Sequence, residues 1–206
     1  MKNLILFLIL VSMIVFNSLE TVAQEKNVSE SWKFNSASFT TGVTSLTKGN
    51  TLSASFSKNK SLLVLDYNKE LGEFLYFYSP IKQVSLGGSG GFFKNVPWFG
   101  PIASFNLIKG HIKTLHWVGW SFGDPEKRNT SEEMLFCFSY QQISINYAGF
   151  EAYYALQHYM NFPEEHIFGI KKNFKLNENF SVPASGGYML NADNLIWSIG
   201  LSYNIK

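Results

Sequence analysis

Polar and apolar residues alternate along most of this chain, and the alternation is most regular in the segment 195–206. One face of that segment carries Trp197, Ile199, Leu201, Tyr203 and Ile205. The other face carries Ser198, Gly200, Ser202, Asn204 and Lys206. A period of two is typical of a β-strand, because successive side chains point to opposite faces. The pattern therefore predicts a strand with one apolar face and one small, polar face.

The same period recurs upstream in segments separated by turn residues. The segments are 52–57, 62–67, 73–78, 84–93, 102–108, 112–122, 134–140, 143–147, 167–174 and 180–190. Lys109-Gly110 predicts a hairpin turn, since glycine accepts the positive φ that tight turns need. Turn signals about every 8 to 15 residues favour an all-β sandwich or barrel. We expect a loop at 94–101, where prolines occur, and either a helix or a strand at 150–160.

The N-terminal residues have the layout of a secretory signal peptide. Lys2 precedes an apolar run, Leu4–Phe16, and Thr21-Val22-Ala23 follows with small residues where cleavage occurs. The run is short for a spanning helix, which needs about 20 apolar residues. We predict a signal peptide at 1–23 and a single β-barrel domain at 24–206, with an uncleaved N-terminal anchor as the alternative.

Composition excludes several classes of protein. The chain has one cysteine, Cys137, so an internal disulfide cannot form. No second apolar run approaches the length of a transmembrane helix, which excludes a helical membrane protein. The formal net charge of +2 gives no argument for a nucleic-acid partner, and export argues against one.

Alternation fits both a soluble barrel and a membrane barrel, and three features favour the membrane. The non-apolar faces carry small polar residues, and charged residues make up only 16% of the chain. A last strand that pairs with the first would leave no open edge. Aromatic residues cluster near the expected strand ends, as in the interfacial girdles of membrane barrels. They are Tyr76, Phe77, Tyr78, Phe92, Phe93, Trp98, Phe99, Trp117, Trp120 and Phe122.

The segment Ser198–Ile205 resembles the C-terminal insertion signal of bacterial outer-membrane β-barrel proteins. Ser198, Gly200, Tyr203 and Ile205 occupy the signal's positions, with Ile205 where a terminal aromatic is common and Lys206 after it. The resemblance implies recognition by the barrel assembly machinery, contact with outer-membrane lipid and a location in the cell outer membrane. We therefore expect a closed antiparallel transmembrane β-barrel of about 8 to 12 strands, with ten as the preferred number.

Residues suited to catalysis or metal binding are few. His116, Ser121 and Asp124 are the candidates for a lipid-modifying enzyme, but His116 and Ser121 have opposite parity on a regular strand. Spacing gives no support for a metal site at His111, His116, His158 and His166. The glycine-rich run 86–91 lacks the Gly-Lys-Ser/Thr ending of a phosphate loop. We expect Cys137 to be buried or to face lipid, and no cofactor.

These observations predict a non-enzymatic integral outer-membrane barrel with a structural, passive-transport or adhesion role. Its small-molecule ligand stays unknown at this stage. Two alternatives stay open. One is a soluble exported barrel or sandwich that binds a small apolar ligand, and the other is an outer-membrane lipid-modifying enzyme.

Overall fold

The computed structural model describes residues 31–45, 47–93, 96–121, 137–159 and 163–205. The expected signal peptide, 1–23, and Asp124 lie outside these residues. The described residues form twelve strands and a 3₁₀ turn, Ile108–Gly110. The strands are β1 Lys33–Val43, β2 Lys48–Lys58, β3 Ser61–Tyr67, β4 Leu71–Ile81, β5 Val84–Phe93, β6 Val96–Leu107, β7 Ile112–Ser121, β8 Cys137–Tyr147, β9 Phe150–Tyr159, β10 Glu165–Lys175, β11 Phe180–Met189 and β12 Asn194–Asn204.

The strands form one closed antiparallel barrel, in which every strand pairs with its neighbours in the chain and β1 pairs with β12. The closing register runs from Ser36 opposite Asn204 to Val43 opposite Trp197. The predicted closed barrel, with its first strand paired to its last, is therefore confirmed. The preferred strand number of ten is wrong, because the barrel has twelve.

The loop expected at 94–101 is wrong for most of that segment, because β6 begins at Val96 and runs through two prolines. Proline has no N–H for the ladder, so its presence in the sequence favours a loop. The register between β6 and β7 passes from Phe99–Trp120 to Ile102–Trp117, which leaves Pro101 out of that ladder. Proline is tolerated here because the hydrogen-bond ladder is interrupted at its position. The open choice at 150–160 is settled as a strand, β9.

The two ends of the barrel differ in their connections. The turns at Asn59–Lys60, Lys82–Gln83, Ile108–His111, Ala148–Gly149 and Leu176–Asn179 all lie at the end where β1 begins and β12 ends. We call this the turn end and the opposite one the loop end. Short turns leave more of the chain for strands, which is how twelve fit into this length.

Side-chain exposure distinguishes the outer face of the barrel from the lumen. On β12, Trp197, Ile199 and Leu201 are about half exposed, whereas Ser198 and Gly200 between them face inward. Other outward residues are also large and apolar, among them Phe74, Leu86, Phe92, Phe99, Trp120, Ile143, Ile145, Phe168, Ile170 and Phe174. The apolar face predicted for 195–205 is therefore the exterior of the barrel.

Exposed aromatic side chains are placed toward both ends of that exterior. Near the loop end they are Phe92, Phe99, Trp120, Phe168 and Trp197. Near the turn end they are Tyr78, Tyr147, Phe150, Phe174, Phe180 and Tyr203. Within the described ranges, no helix has the length and apolar character needed to cross a membrane.

Candidate functional site: the barrel lumen

One wall of the lumen, formed by β11, β12, β1 and β2, is lined by small hydroxyl side chains. The cross-strand register places Ser38 between Ser202 and Ser53 on the same inner face. Neighbouring hydroxyls hydrogen-bond across the strands, with Oγ–Oγ distances of 2.6 Å for Ser36 and Ser55 and 2.7 Å for Ser185 and Ser198. We call this surface the hydroxyl wall. It offers donors and acceptors to a polar solute and leaves the lumen open beside it, because its side chains are short.

The facing wall carries a cluster of large aromatic side chains. The rings of Trp98, Trp117 and Phe138 have centroids 5.0 to 5.5 Å apart, in tilted or edge-to-face arrangements. Trp117 Nε1 donates to Ser89 Oγ at 2.7 Å, and that hydroxyl donates to the carbonyl of Gly100 at 3.0 Å. Ser89 is nearly inaccessible to solvent, with an exposed fraction of 3%. The cluster narrows the loop-end half of the lumen with a rigid apolar surface.

This placement corrects the expectation that all the clustered aromatics form interfacial girdles. Phe77, Phe93, Trp98 and Trp117 face the lumen, while Tyr76, Tyr78, Phe92, Phe99 and Trp120 face outward. Phe122 lies outside the described residues. Consecutive residues of a strand point to opposite faces, so an aromatic pair such as Phe92–Phe93 cannot contribute both rings to a girdle.

Two inward glycines make room for aromatic rings on the adjacent strand. Gly119 pairs directly with Phe138, and a Cβ at Gly119 would overlap the phenyl ring. Gly169 pairs directly with Tyr153, whose phenol ring occupies the corresponding space. The rings therefore lie flat against the wall instead of projecting into the lumen.

A charged network occupies the turn-end half of the lumen on β8, β9 and β10. Tyr140 Oη donates to Gln142 Oε1 at 2.9 Å, and Gln142 Nε2 donates to Glu151 Oε1 at 3.4 Å. Lys171 Nζ lies 3.8 Å from Glu151 Oε1 and 4.5 Å from the centroid of the Tyr153 ring. A cation above a ring face is attracted by the ring quadrupole. The lysine is thus held by two partners against the lumen wall.

Charge is distributed unevenly along the axis. Lys113, Lys171 and Lys175 project inward from the turn-end halves of their strands, with Glu151 among them. Asp66 and Glu73 are direct cross-strand partners on β3 and β4, near the loop end. A solute that crosses the lumen therefore meets carboxylates toward one end and mainly ammonium groups toward the other.

A concave pocket of about 400 Å³ lies between the charged network and the hydroxyl wall. Its inward-facing lining includes Asn146, Glu151, Lys171, Asn173, Ser185 and Ser198. Charged, amide and hydroxyl groups converge here, so the pocket presents both donors and acceptors to a polar solute.

The candidate catalytic residues are not brought together. His116 lies on β7 opposite Ala103 and Gln141 and faces outward. Ser121 ends the same strand and pairs with Trp98 on the inner face. These two residues therefore lie on opposite sides of the barrel wall, as their parity indicated.

The residues of the insertion-signal resemblance lie along the closing strand. Ser198 and Gly200 face the lumen, and Tyr203 faces outward beside Phe180 with a centroid distance of 5.1 Å. Ile205 lies just beyond β12, where its backbone N–H donates to the carbonyl of Asn35 at 2.8 Å. All four positions are thus at or next to the β1–β12 seam.

The remaining candidates for chemistry lie apart. Among the residues that the structure describes, no three His, Cys, Asp or Glu side chains are grouped as metal ligands would be. The glycine-rich run belongs to β5, a strand with no helix after it. The charged network was not predicted from the sequence. Its only signal there was the presence of two charged residues, Glu151 and Lys171, in segments where apolar and polar residues alternate.

No family model matches the chain, and no curated protein matches it. A solved structure of the KdgM porin aligns with a TM-score of 0.53 and 9% identity, over 84% of this chain and 100% of the porin chain. A second one, the KdgM porin in complex with disordered oligogalacturonate, gives 0.55 and 10% over the same shares. A mutant of Rh. blastica porin aligns with a TM-score of 0.43 and 11% identity, over 76% of this chain and 55% of that one. At the identities of the KdgM alignments the likeness is one of fold: this chain has the closed-barrel fold of a porin.

Proposed function

We propose that the protein is an integral outer-membrane barrel that lets small polar solutes pass through its lumen without a catalytic step. The observation that carries the proposal is the division between the two faces of the wall, apolar outside and hydroxyl-lined inside on β11, β12, β1 and β2. In a membrane barrel the outer face contacts lipid and the inner face contacts water. The porin fold supports both the location and the passive role.

The orientation follows from the connections. In outer-membrane barrels short turns lie on the periplasmic side and longer loops on the outside. The turn end would then face the periplasm, and a solute entering from outside would meet the aromatic cluster and the Asp66–Glu73 pair first. The inward-facing Lys113, Lys171 and Lys175 would be near the exit.

The solute class follows from the lining. Hydroxyl, amide and ammonium groups are suited to polar, uncharged or anionic compounds, and aromatic rings give a flat apolar surface beside them. The KdgM porin has been solved with oligogalacturonate. The single arginine in this chain, Arg128, lies outside the described residues, so lysines supply the positive charge of the described lumen.

The test is conductance across a planar lipid bilayer that contains the purified, refolded protein. Ser38→Trp together with Ser202→Trp places two large rings at directly paired positions of the hydroxyl wall and should reduce single-channel conductance. Phe39→Trp together with Leu201→Trp alters the next residue on each strand, which faces lipid, and should leave conductance unchanged. Equal conductance in both variants, or none in the wild-type protein after verified insertion, would contradict the proposal.

A further inference from the structure

Two polar side chains without hydrogen-bond partners among the described residues face outward at mid-height of the barrel, where most exposed side chains are apolar. His116 lies midway along β7 between Ile112 and Trp120, and Gln141 on β8 is its direct cross-strand partner. Both side chains are exposed. In the membrane location proposed above, on which this inference rests, both would be near the middle of the hydrocarbon region.

More polar groups lie around this pair. Ser139 faces outward two positions before Gln141 on β8, and its partner on β9 is His158. Thr114 faces outward two positions before His116 on β7. We call His116, Gln141, Ser139, His158 and Thr114 the polar patch. Exposed outward side chains at mid-height on β1, β2 and β12 are apolar, namely Phe39, Leu52 and Ile199.

The central pair of the patch is not satisfied by the barrel itself. In the described part of the chain neither His116 nor Gln141 has a hydrogen-bond partner. The ring of His116 lies beside the ring of Phe105, with centroids 5.8 Å apart. A polar group in hydrocarbon without a hydrogen-bond partner is strongly unfavourable. His116 and Gln141 would therefore be stabilised by a partner that reaches the middle of the membrane and offers both hydrogen-bond donors and acceptors there.

We propose that the polar patch is the contact surface for a second copy of this chain, related by a two-fold axis along the membrane normal. Such an axis keeps every residue at its own depth, so the patch of one copy meets the patch of the other without a shift in height. A two-fold interface requires a self-complementary surface. Imidazole and carboxamide each contain a donor and an acceptor, so Gln141 of one copy can bond Gln141 or His116 of the other.

Other occupants fit less well. A soluble partner cannot reach groups that are buried at mid-membrane, and lipid tails offer neither donors nor acceptors. Across the barrel, the described outward residues at mid-height on β1, β2 and β12 are the apolar Phe39, Leu52 and Ile199. The chemistry of the surface therefore favours one contact face per chain, which gives a closed dimer.

The proposal can be tested by cross-linking in outer-membrane fractions. Gln141→Cys in a Cys137→Ser background should give a disulfide-linked product on mild oxidation, whose mass is that of two chains. Ile199→Cys in the same background is the matched control at a similar height on the far wall, and it should give several-fold less product. If Cys137→Ser prevents assembly, a photo-reactive amino acid at position 141 or 199 of the native chain replaces the cysteine pair.

The heat-dependent gel shift of the monomer, measured on the same samples, separates failure of this proposal from failure of the membrane location. A normal shift with equal cross-linking at 141 and 199, or with a product that contains a different protein, would overturn the dimer alone. Absence of the shift would overturn the location.

A second variant distinguishes an interface from a purely internal role. His116→Leu together with Gln141→Leu should abolish the dimer in detergent, as measured by light scattering. The monomer should unfold at a higher denaturant concentration, because two polar groups without hydrogen-bond partners no longer face the apolar surroundings. Loss of monomer stability with an unchanged dimer would overturn the proposal.

Discussion

The phenyl ring of Phe138 lies over Gly119, its direct partner on β7, in the space that any larger residue at position 119 would need. The same ring completes the contact with Trp98 and Trp117. The position of the Phe138 ring therefore depends on the absence of a side chain at Gly119, and both residues determine the shape of the lumen at the loop end.

Gly119→Ala should destabilise the barrel, because the added methyl displaces the Phe138 ring from its contacts with the tryptophans. Overpacking of this kind costs about 1 to 3 kcal/mol. Gly186→Ala is the control, since an added Cβ there meets nothing within 4 Å. Unfolding in urea, followed by tryptophan fluorescence in lipid vesicles, should show a lower midpoint for the first variant only. Equal midpoints would contradict the role given to Gly119.

Ser89→Ala should remove the acceptor that lies 2.7 Å from the indole N–H of the partly buried Trp117. A buried donor left without an acceptor costs about 1 to 3 kcal/mol, and partial burial places this one toward the lower figure. The double variant with Trp117→Phe removes the donor as well, so its loss of stability should be less than the sum of the two single losses. The measurement is a double-mutant cycle from urea unfolding, and strict additivity would show that the hydrogen bond contributes nothing.

Lys171→Gln should make the channel less favourable for anions, because it removes an ammonium group held on the lumen wall beside Glu151. Lys172→Gln is the adjacent control. Its side chain faces outward, with Nζ 3.6 Å from the Phe150 ring centroid. The reversal potential in a salt gradient should shift toward cation preference in the first variant alone. A shift of the same size in both would indicate a surface-charge effect.

Tyr203→Ala should lower the amount of barrel assembled in cells, if Tyr203 belongs to a signal read by the assembly machinery. Phe180→Ala removes the same Phe180–Tyr203 ring contact from the other side and leaves the signal intact. The measurement is the fraction of heat-shifted protein in outer membranes during pulse labelling. Equal reductions would attribute the effect to lost packing instead of recognition.

The sequence was informative where one face of a strand meets a uniform environment. On β12 every outward residue from Leu195 to Tyr203 is apolar, so alternation predicted the strand and its two faces. Its pairing with β1 followed from the expectation of a closed barrel. The aromatic residues were harder to assign. Phe93 and Trp98 face inward, and a ring that narrows a lumen has the same local pattern as one that contacts lipid.

Other features of the barrel could not be predicted from the sequence, because they depend on contacts between residues distant along the chain or on local backbone geometry. The Glu151–Lys171 pair arises from the register between β9 and β10, which no local pattern specifies. The strand number was underestimated in part because Pro97 and Pro101 lie inside β6, where an interrupted ladder accommodates Pro101. From the sequence alone His116 is a candidate catalytic residue. Because its side chain faces outward, it lies instead in the proposed contact surface between two copies of the chain.

The seam between β1 and β12 also has a kinetic consequence. Its partners come from opposite ends of the described chain, so the last hydrogen bonds of the barrel join residues that are far apart in sequence. Contacts of such high sequence separation form slowly, because the loop-closure entropy must be overcome first. Until β12 is in place, two strands present open backbone edges, which are sites for aggregation. The open strand edges of the newly made chain must therefore be shielded from other chains until β12 has paired with β1.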